Sequence, residues 1–320
     1  MSLKDKAAIV GIGETDFSSN SGRTELHLLI QATLAACEDA GIKPSEIDGM
    51  AKISADETEA FVLADALNLD NLRYWATMPL GGNAGAGTVT LAALAVAEGL
   101  ANYVLCWRSL NERSGRRFGQ PGGYVTSART PGFAQFTLPY GLMTPAQHVA
   151  LTARRHMHQY GTMVEQFAAF TINSRAFAAN NPRARFYQRP LTLEEYYKGR
   201  MIADPLRIFD CCLESDGAVA VIVTSAERAR DLRQTPAYIM ATAQGMGSRS
   251  SLSVLSAAPF ARAGRGDGRI RETHPGPARF PDLAGPPRPQ QAYPPRADRA
   301  FATLDTVRTT VAWPGPVVVA

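Results

Sequence analysis

The chain has 320 residues, of which 45% are hydrophobic and 19% are charged, and its formal net charge is +4. This is the composition of a globular protein with one large or two medium domains. No apolar run reaches the ~18 residues of a membrane span, and residues 1–6 lack an apolar signal core, so we expect a cytoplasmic protein without a membrane span.

The first 110 residues alternate short apolar runs with helical patterns. Thr24 is a predicted N-cap and Gly41 a predicted helix end. The apolar runs predict strands at residues 7–11, 50–53 and 72–76, with a further helix at 57–67. This alternation predicts an α/β fold whose sheet is covered on both faces.

Gly11 and Gly13 form a GxG pattern directly after the first predicted strand. The third glycine and the later acidic residue of a dinucleotide fingerprint are missing. A plain turn is therefore favoured over a nucleotide-binding loop.

Four glycines lie within residues 81–87, ahead of an apolar run at 88–98. Glycine lets a backbone turn sharply and approach a ligand closely, and the start of a helix offers free N–H groups. The run predicts a buried helix that ends at Gly99, followed by a buried strand at 103–107. Packing through small residues is the favoured explanation and a binding site is the alternative. The candidate substrate-binding residues are Gly81, Gly82, Asn83, Ala84 and Gly85.

Residues 111–205 are predicted to form a helical loop domain inserted between two strands of the core. Thr144 and Pro145 begin one helix, a second ends at residues 180–182, and Thr192 with Glu195 forms a capping box for a third. Long insertions of this kind usually carry function.

Arginines in the first part of this insertion allow two interpretations. Arg113, Arg116 and Arg117 can contact phosphate groups, or they can belong to a solvated loop. Residues 1–250 are neutral, because the nine arginines and five acidic residues of 251–320 account for the whole net charge. We therefore expect no nucleic-acid partner.

Residues 206–245 are predicted to return to the core. They contain a strongly apolar strand at 216–224, a helix at 226–233 capped by Ser225, and a strand at 237–243. The core is thus divided into residues 1–110 and 206–245.

The last part of the chain has a different composition. Residues 251–320 hold 11 of the 21 prolines and no lysine. We predict a disordered tail at 246–320 and hypothesise a frameshift between about Gly245 and Phe260. Sequencing the coding DNA tests this hypothesis, which requires a strand–helix pattern in another frame.

The cysteines and histidines suggest no metal or redox motif. Cys106 lies in an apolar strand and is predicted to be a core residue. Of Cys211 and Cys212, one is expected to pack and the other to face a cavity, without a visible base to activate it. His156 and His158 are two residues apart and point to different helix faces, so we expect no metal site.

Several segments together resemble the thiolase superfamily. They are KAAIVGIGETDF (6–17), SEIDG (45–49), NERSG (111–115), RRHMH (154–158) and DCCLESDGAVA (210–220). The resemblance covers residues 4–245. It is closest to the lipid-transfer proteins related to the thiolase domain of sterol carrier protein X, and among them to actinobacterial steroid side-chain retro-aldolases.

The resemblance implies a thiolase-like fold in which residues 7–245 form the N-terminal βαβαβαββ half of a normally dimeric molecule. Thiolases carry a nucleophilic cysteine at the position that maps near Gly82. Here no cysteine lies between Cys37 and Cys106, so the usual acyl-enzyme route is excluded. The aldolase branch is implied to cleave a β-hydroxyacyl-CoA by proton transfer through tyrosines of the C-terminal half, releasing a ketone and a short acyl-CoA.

Three functions remain open at this stage. They are a retro-aldolase for a steroid-derived β-hydroxyacyl-CoA, a non-catalytic subunit that binds acyl-CoA or lipid, and an acetyl-CoA acyltransferase with another nucleophile. The implied partners are a second copy of the chain and an OB-fold, zinc-ribbon protein, with no metal and no cofactor beyond the CoA of the substrate. Nothing after Gly245 resembles the C-terminal half, including the context of Tyr293. The catalytic residues are therefore unassigned, and loss of the C-terminal half would leave the product inactive or unstable.

Overall fold

A computed structural model describes residues 3–79, 85–120 and 137–242. The first part of the chain alternates strands and helices: β1 Ala7–Glu14, α1 Glu25–Ala40, β2 Gly49–Ile53, α2 Ala60–Ala66, β3 Tyr74–Met78, α3 Gly85–Ala97 and β4 Tyr103–Asn111. The remainder comprises α4 Pro145–Tyr160, α5 Val164–Asn180, α6 Leu193–Lys198, β5 Met201–Ala203, β6 Leu206–Arg207, β7 Asp216–Ser225, α7 Ala226–Ala229 and β8 Ala237–Tyr238.

Six of these strands form one mixed sheet in the order β3-β2-β4-β7-β1-β8. Strand β2 is parallel to β3 and β4, whereas β7 is antiparallel to β4 and β1. The carboxyl ends of β2, β3 and β4 therefore lie at the same edge of the sheet. Strands β5 and β6 form a separate hairpin.

Helices cover both faces of this sheet, as the sequence predicted. Alternate residues of β4 point in opposite directions: Leu105 and Trp107 join the cluster around α1, while Val104 and Cys106 join the cluster around α3. Because successive side chains of a strand face opposite sides, a continuous apolar run fits a sheet buried on both faces.

The predicted turn at Gly11 and Gly13 is wrong. Both glycines lie inside β1, which continues to Glu14, with a register irregularity between Ile9 and Gly11. A Cβ built on Gly13 would lie 2.0 Å from the Ala32 carbonyl oxygen of α1, and one on Gly11 would lie 2.3 Å from that of Ala36. The glycines therefore allow α1 to pack directly on the strand.

The predicted helix caps are confirmed. Thr24 accepts a hydrogen bond from the His27 N–H at 3.1 Å, and Gly41 ends α1 with a positive φ of 76°. Thr192 and Ser225 cap α6 and α7 through their side-chain oxygens. These caps satisfy N–H and C=O groups that helix ends leave unpaired.

Several predicted bounds are wrong, mostly because helices are shorter than the patterns suggested. The helix expected at 57–67 is α2, Ala60–Ala66, and the one expected at 226–233 is α7, Ala226–Ala229. The strand expected at 237–243 is β8, Ala237–Tyr238, among described residues, whereas β4 extends to Asn111. Strand β3 begins at Tyr74 rather than residue 72.

In the sequence, helices α4, α5 and α6 follow β4 and precede the β5–β6 hairpin. Asp210 holds this segment together: its carboxylate accepts hydrogen bonds from Tyr196 OH at 2.8 Å, Thr171 Oγ1 at 3.0 Å and the Arg207 N–H at 2.7 Å. Phe170 and Phe177 on α5 are exposed.

The domain boundaries at 110, 205 and 245 stay predictions. The tail predicted at 246–320 lies outside the described residues. None of the described helices combines the length and apolar character needed to cross a bilayer.

Candidate functional site

The candidate substrate-binding residues belong to the connection between β3 and α3. Gly85 is the first residue of α3, while Gly81, Gly82, Asn83 and Ala84 lie outside the described residues. The Ser54 N–H donates to the Met78 carbonyl at 2.9 Å, so the loop after β2 lies beside the end of β3. In open α/β sheets, this carboxyl edge is where ligands bind.

The cysteine nearest to the start of α3 is a core residue, as predicted. Cys106 lies on β4, is 3% exposed and packs in the α3 cluster. Burial raises the pKa of its thiol to about 12, although a hydrogen bond with Thr88 acts in the opposite direction. At neutral pH this group is a neutral thiol and not a nucleophile.

The other three thiols are equally unsuited to nucleophilic attack. Burial is the main cause that raises the pKa values of Cys37, Cys211 and Cys212 to about 11. Cys212 has exposed surface, but its thiol lies near the carboxylates of Glu112 and Glu214, which add to the increase.

These pKa values predict slow alkylation of the native protein. A pKa of about 11 leaves only about 0.1% thiolate at pH 8, so iodoacetamide labelling should be about 200-fold slower than for an ordinary cysteine. Mass spectrometry of the labelled protein measures the rate at each site, with the denatured chain as control. One rapidly labelled cysteine in the native protein would contradict the assignment.

A group of charges around two buried side chains, Lys52 and Asp56, lies at the same sheet edge, and we call it the Asp56 cluster. It consists of Lys52, Asp56, Glu59, Arg108 and Glu25. Lys52 is 3% exposed, and its Nζ donates to the Asp56 and Thr58 carbonyls at 3.0 and 3.1 Å and contacts Glu59 Oε2 at 2.8 Å. The loop at 54–59 is therefore fixed to β2 through a buried ammonium group.

Asp56 is 2% exposed, and its carboxylate oxygens accept no hydrogen bond of normal geometry from the described residues. Burial raises its pKa to about 7, against the opposing effects of the Arg108 guanidinium and the Ser109 N–H. Arg108 Nη1 lies 3.2 Å from Asp56 Oδ1. Close to the same edge, burial and the nearby Glu214 raise the pKa of Glu112 to about 7.

Asp216 is a second buried carboxylate, and it is fully hydrogen-bonded. It accepts from the N–H groups of Ser21, Arg113 and Ser114 at 2.9 Å and from Ser114 Oγ at 2.5 Å. Burial alone would raise its pKa, but these hydrogen bonds together lower it below its usual value. Asp216 therefore joins the start of β7 to the loops after β1 and β4.

The three arginines lie in a partly exposed loop, which agrees with the solvated-loop interpretation, and each of them forms an ion pair there. Arg117 contacts Glu214 at 2.6 Å and Arg113 contacts the same carboxylate at 3.7 Å. Arg116 contacts Glu57 at 3.3 Å. These acidic partners are distant in sequence, so only the fold brings them to the loop.

The histidines form no metal-type group within the described part of the chain. His156 Nδ1 lies 2.9 Å from Thr162 Oγ1 at the exposed end of α4. Burial lowers the pKa of His148. Sequence reasoning missed Lys52, Asp56 and Arg108; the one available signal was a lysine inside the apolar run 50–53.

Comparison with known proteins identifies close relatives, although no protein-family model matches the chain. It is 47% identical over 247 residues to a steroid side-chain-cleaving aldolase of Thermomonospora curvata. The aligned region covers 77% of this chain and 63% of that protein. It is 48% identical over 245 residues to the 17-hydroxy-3-oxo-4-pregnene-20-carboxyl-CoA lyase of Mycobacterium tuberculosis, spanning 76% and 64%. The chain thus spans somewhat less than two thirds of the length of these relatives.

Solved structures agree with the sequence relatives. The Ltp2-ChsH2(DUF35) aldolase has a TM-score of 0.72 and 47% identity, covering 78% of this chain and 63% of that one. Human mitochondrial 3-ketoacyl-CoA thiolase in complex with CoA has a TM-score of 0.54 and 18% identity, covering 77% and 72%. The latter likeness shows the fold alone, which is thiolase-like.

Proposed function

Because this chain belongs to the thiolase superfamily and is similar to its steroid side-chain-cleaving aldolases, we propose that it acts as a retro-aldolase on a steroid-derived β-hydroxyacyl-CoA. The reaction breaks the carbon–carbon bond between the hydroxyl-bearing carbon and the α-carbon of the thioester. A base removes the hydroxyl proton, the ketone leaves, and an acid protonates the enolate to give a short acyl-CoA. Apart from the CoA of the substrate, no cofactor is needed.

The observation that carries the proposal is the state of the thiols. All four cysteines of the chain are described, and each has a pKa of about 11 or above. A thiolase-type acyl transfer needs a thiolate beside the start of α3, and the nearest thiol there is the buried Cys106. Acid–base cleavage needs no such group.

The resemblance assigns catalysis to a C-terminal half of the molecule, and the described residues do not include that half. The implied acid–base groups are tyrosines of a C-terminal half. Tyr196 OH and Tyr197 OH, by contrast, are bound to Asp210 and Glu165. We therefore assign no catalytic role to these tyrosines, and we propose substrate binding for Gly81, Gly82, Asn83, Ala84 and Gly85.

The purified full chain should be tested with a steroid β-hydroxyacyl-CoA, alone and with a DUF35-type partner. Release of ketone and short acyl-CoA, followed by chromatography and mass spectrometry, is the expected result. Cys106→Ala should retain this turnover, because the buried thiol only packs. Saturable binding without cleavage would overturn the aldolase proposal and support a non-catalytic acyl-CoA-binding subunit. An acylated protein detected by mass spectrometry would support an acyltransferase instead.

We also propose two partners and a location. Among the described strands β3 is at an edge of the sheet, and Trp75 on it is 67% exposed, which supports a homodimer through this edge. The name of the Ltp2-ChsH2(DUF35) aldolase supports a DUF35-type partner, for which resemblance implies an OB-fold and zinc ribbon. Four free cysteines support a cytoplasmic location. The solution mass of the purified chain tests dimer formation.

A further inference from the structure

The Asp56 cluster joins four separate elements. The loop at 54–59 contributes Asp56 and Glu59, β2 contributes Lys52, and β4 contributes Arg108. Glu25 is in the first turn of α1, where its Oε1 accepts from the Asn111 N–H at 2.9 Å. Closure of the loop over the sheet edge therefore depends on how these charges balance.

The positive and negative charges of the cluster are equal in number only when Asp56 carries a proton. Lys52 and Arg108 provide two positive charges, and Glu59 and Glu25 provide two negative ones. Two further groups at its margin, Glu57 and Arg116, pair with each other at 3.3 Å. Glu112 also faces Arg108 from the residue after β4.

Ionised Asp56 would have to share the Arg108 guanidinium with Glu25 and Glu112, which also face it. Its oxygens are buried without a hydrogen bond of normal geometry from the described residues, and Arg108 Nη1 is likewise without one. Burial of a charge is costly unless the charge is paired and hydrogen-bonded. In an open loop, by contrast, water would solvate the carboxylate.

We infer that Asp56 makes closure of the 54–59 loop proton-dependent: the loop is closed when Asp56 is protonated and opens more readily when it is ionised. In the open loop Asp56 would titrate near the ordinary aspartate value of about 3.9. The closed form therefore binds one more proton between about pH 4 and pH 7. Over that window the opening constant should rise by up to about tenfold per pH unit, and above it the constant should level off.

Hydrogen exchange of the full chain at pH 5.5, 6.5, 7.5 and 8.5 measures this opening. The probes are the amides of Ser54, bonded to the Met78 carbonyl, and Asp56, bonded to the Ile53 carbonyl. After correction for intrinsic exchange, their protection should fall about tenfold from pH 5.5 to 6.5 and stay constant above pH 7.5. Amides in the centre of β7 provide the internal reference. Constant protection of the two probes across the series would overturn the inference.

Variants identify the carboxyl group that causes the pH dependence of loop protection. Asp56→Asn should abolish the pH dependence of loop protection, because a neutral amide cannot ionise. Glu57→Gln, which removes an exposed carboxylate of the same loop, and Glu112→Gln, which removes the other raised carboxyl, should retain it. A pH dependence that survives in Asp56→Asn, or disappears in Glu112→Gln, would overturn the inference. The wild-type series and the two glutamine variants decide the matter if Asp56→Asn does not fold.

Discussion

Gly13→Ala is expected to destabilise the protein by about 3 kcal/mol, because the added methyl group would overlap backbone that cannot move independently. The Cβ would be 2.0 Å from the Ala32 oxygen and 2.5 Å from the Ala36 nitrogen. To relieve this contact α1 would have to move away from β1, which would disturb one face of the core. The expected fall in the thermal midpoint is about 6–12 °C.

Thermal unfolding of the wild type, Gly13→Ala and a matched control measures this effect. Gly22→Ala is the control, because a Cβ on Gly22 meets no atom within 4 Å and only its φ of +64° is unfavourable. We expect about 1 kcal/mol for that strain. Equal midpoints for the two variants would show that α1 does not pack directly against the backbone of β1 at Gly13.

Asp216→Ala is expected to lower the free energy of unfolding by about 4 kcal/mol. The substitution leaves the N–H groups of Ser21, Arg113 and Ser114 and the Ser114 hydroxyl without their acceptor. Unpaired buried donors cost about 1–3 kcal/mol each, and solvent entry recovers part of the loss. Because Asp216 is 0% exposed, this relaxation should be limited.

Denaturant titration at pH 7 compares this variant with Asp16→Ala. Asp16 forms an ion pair with Arg23 at 2.6 Å, but the Asp16 side chain is 71% exposed, so its removal should cost less than about 1 kcal/mol. A similar cost for both variants would contradict the role of Asp216.

The contribution of Asp216 also has a defined pH dependence. The pKa of its carboxyl is lowered in the folded protein. The stability that comes from ionisation is therefore present above the unfolded value of about 3.9 and is lost as the pH falls through the lower folded value. The difference between wild type and Asp216→Ala should consequently shrink in acid.

Local signals in the sequence located most elements correctly. The caps at Thr24, Thr192 and Ser225 depend on side chains within three residues of the N–H groups they bind. The buried strand β7 is recognisable because it is a continuous β-branched run. The end of α7 was harder to place: the pattern predicted Arg233, but α7 stops at Ala229, and Arg233 instead donates hydrogen bonds to carbonyls at the end of α1.

The glycines of β1 and the Asp56 cluster were not predictable in the same way. Gly11 and Gly13 have the composition of a turn, and only the position of α1 explains why they lie in a strand. Asp56 looks like a surface residue of a polar loop. Its burial follows from Arg108, which is 52 positions further along the chain but on the strand next to β2.

The sequence by itself determined the order of strands and helices, their caps, and the absence of a cysteine from the β3–α3 connection, because these features depend on neighbouring residues. Tertiary structure alone decided which charges are buried and which glycines support a helix. Such properties arise where distant segments meet, as Asp216 does with Ser21 and Ser114, and no local pattern encodes those distances.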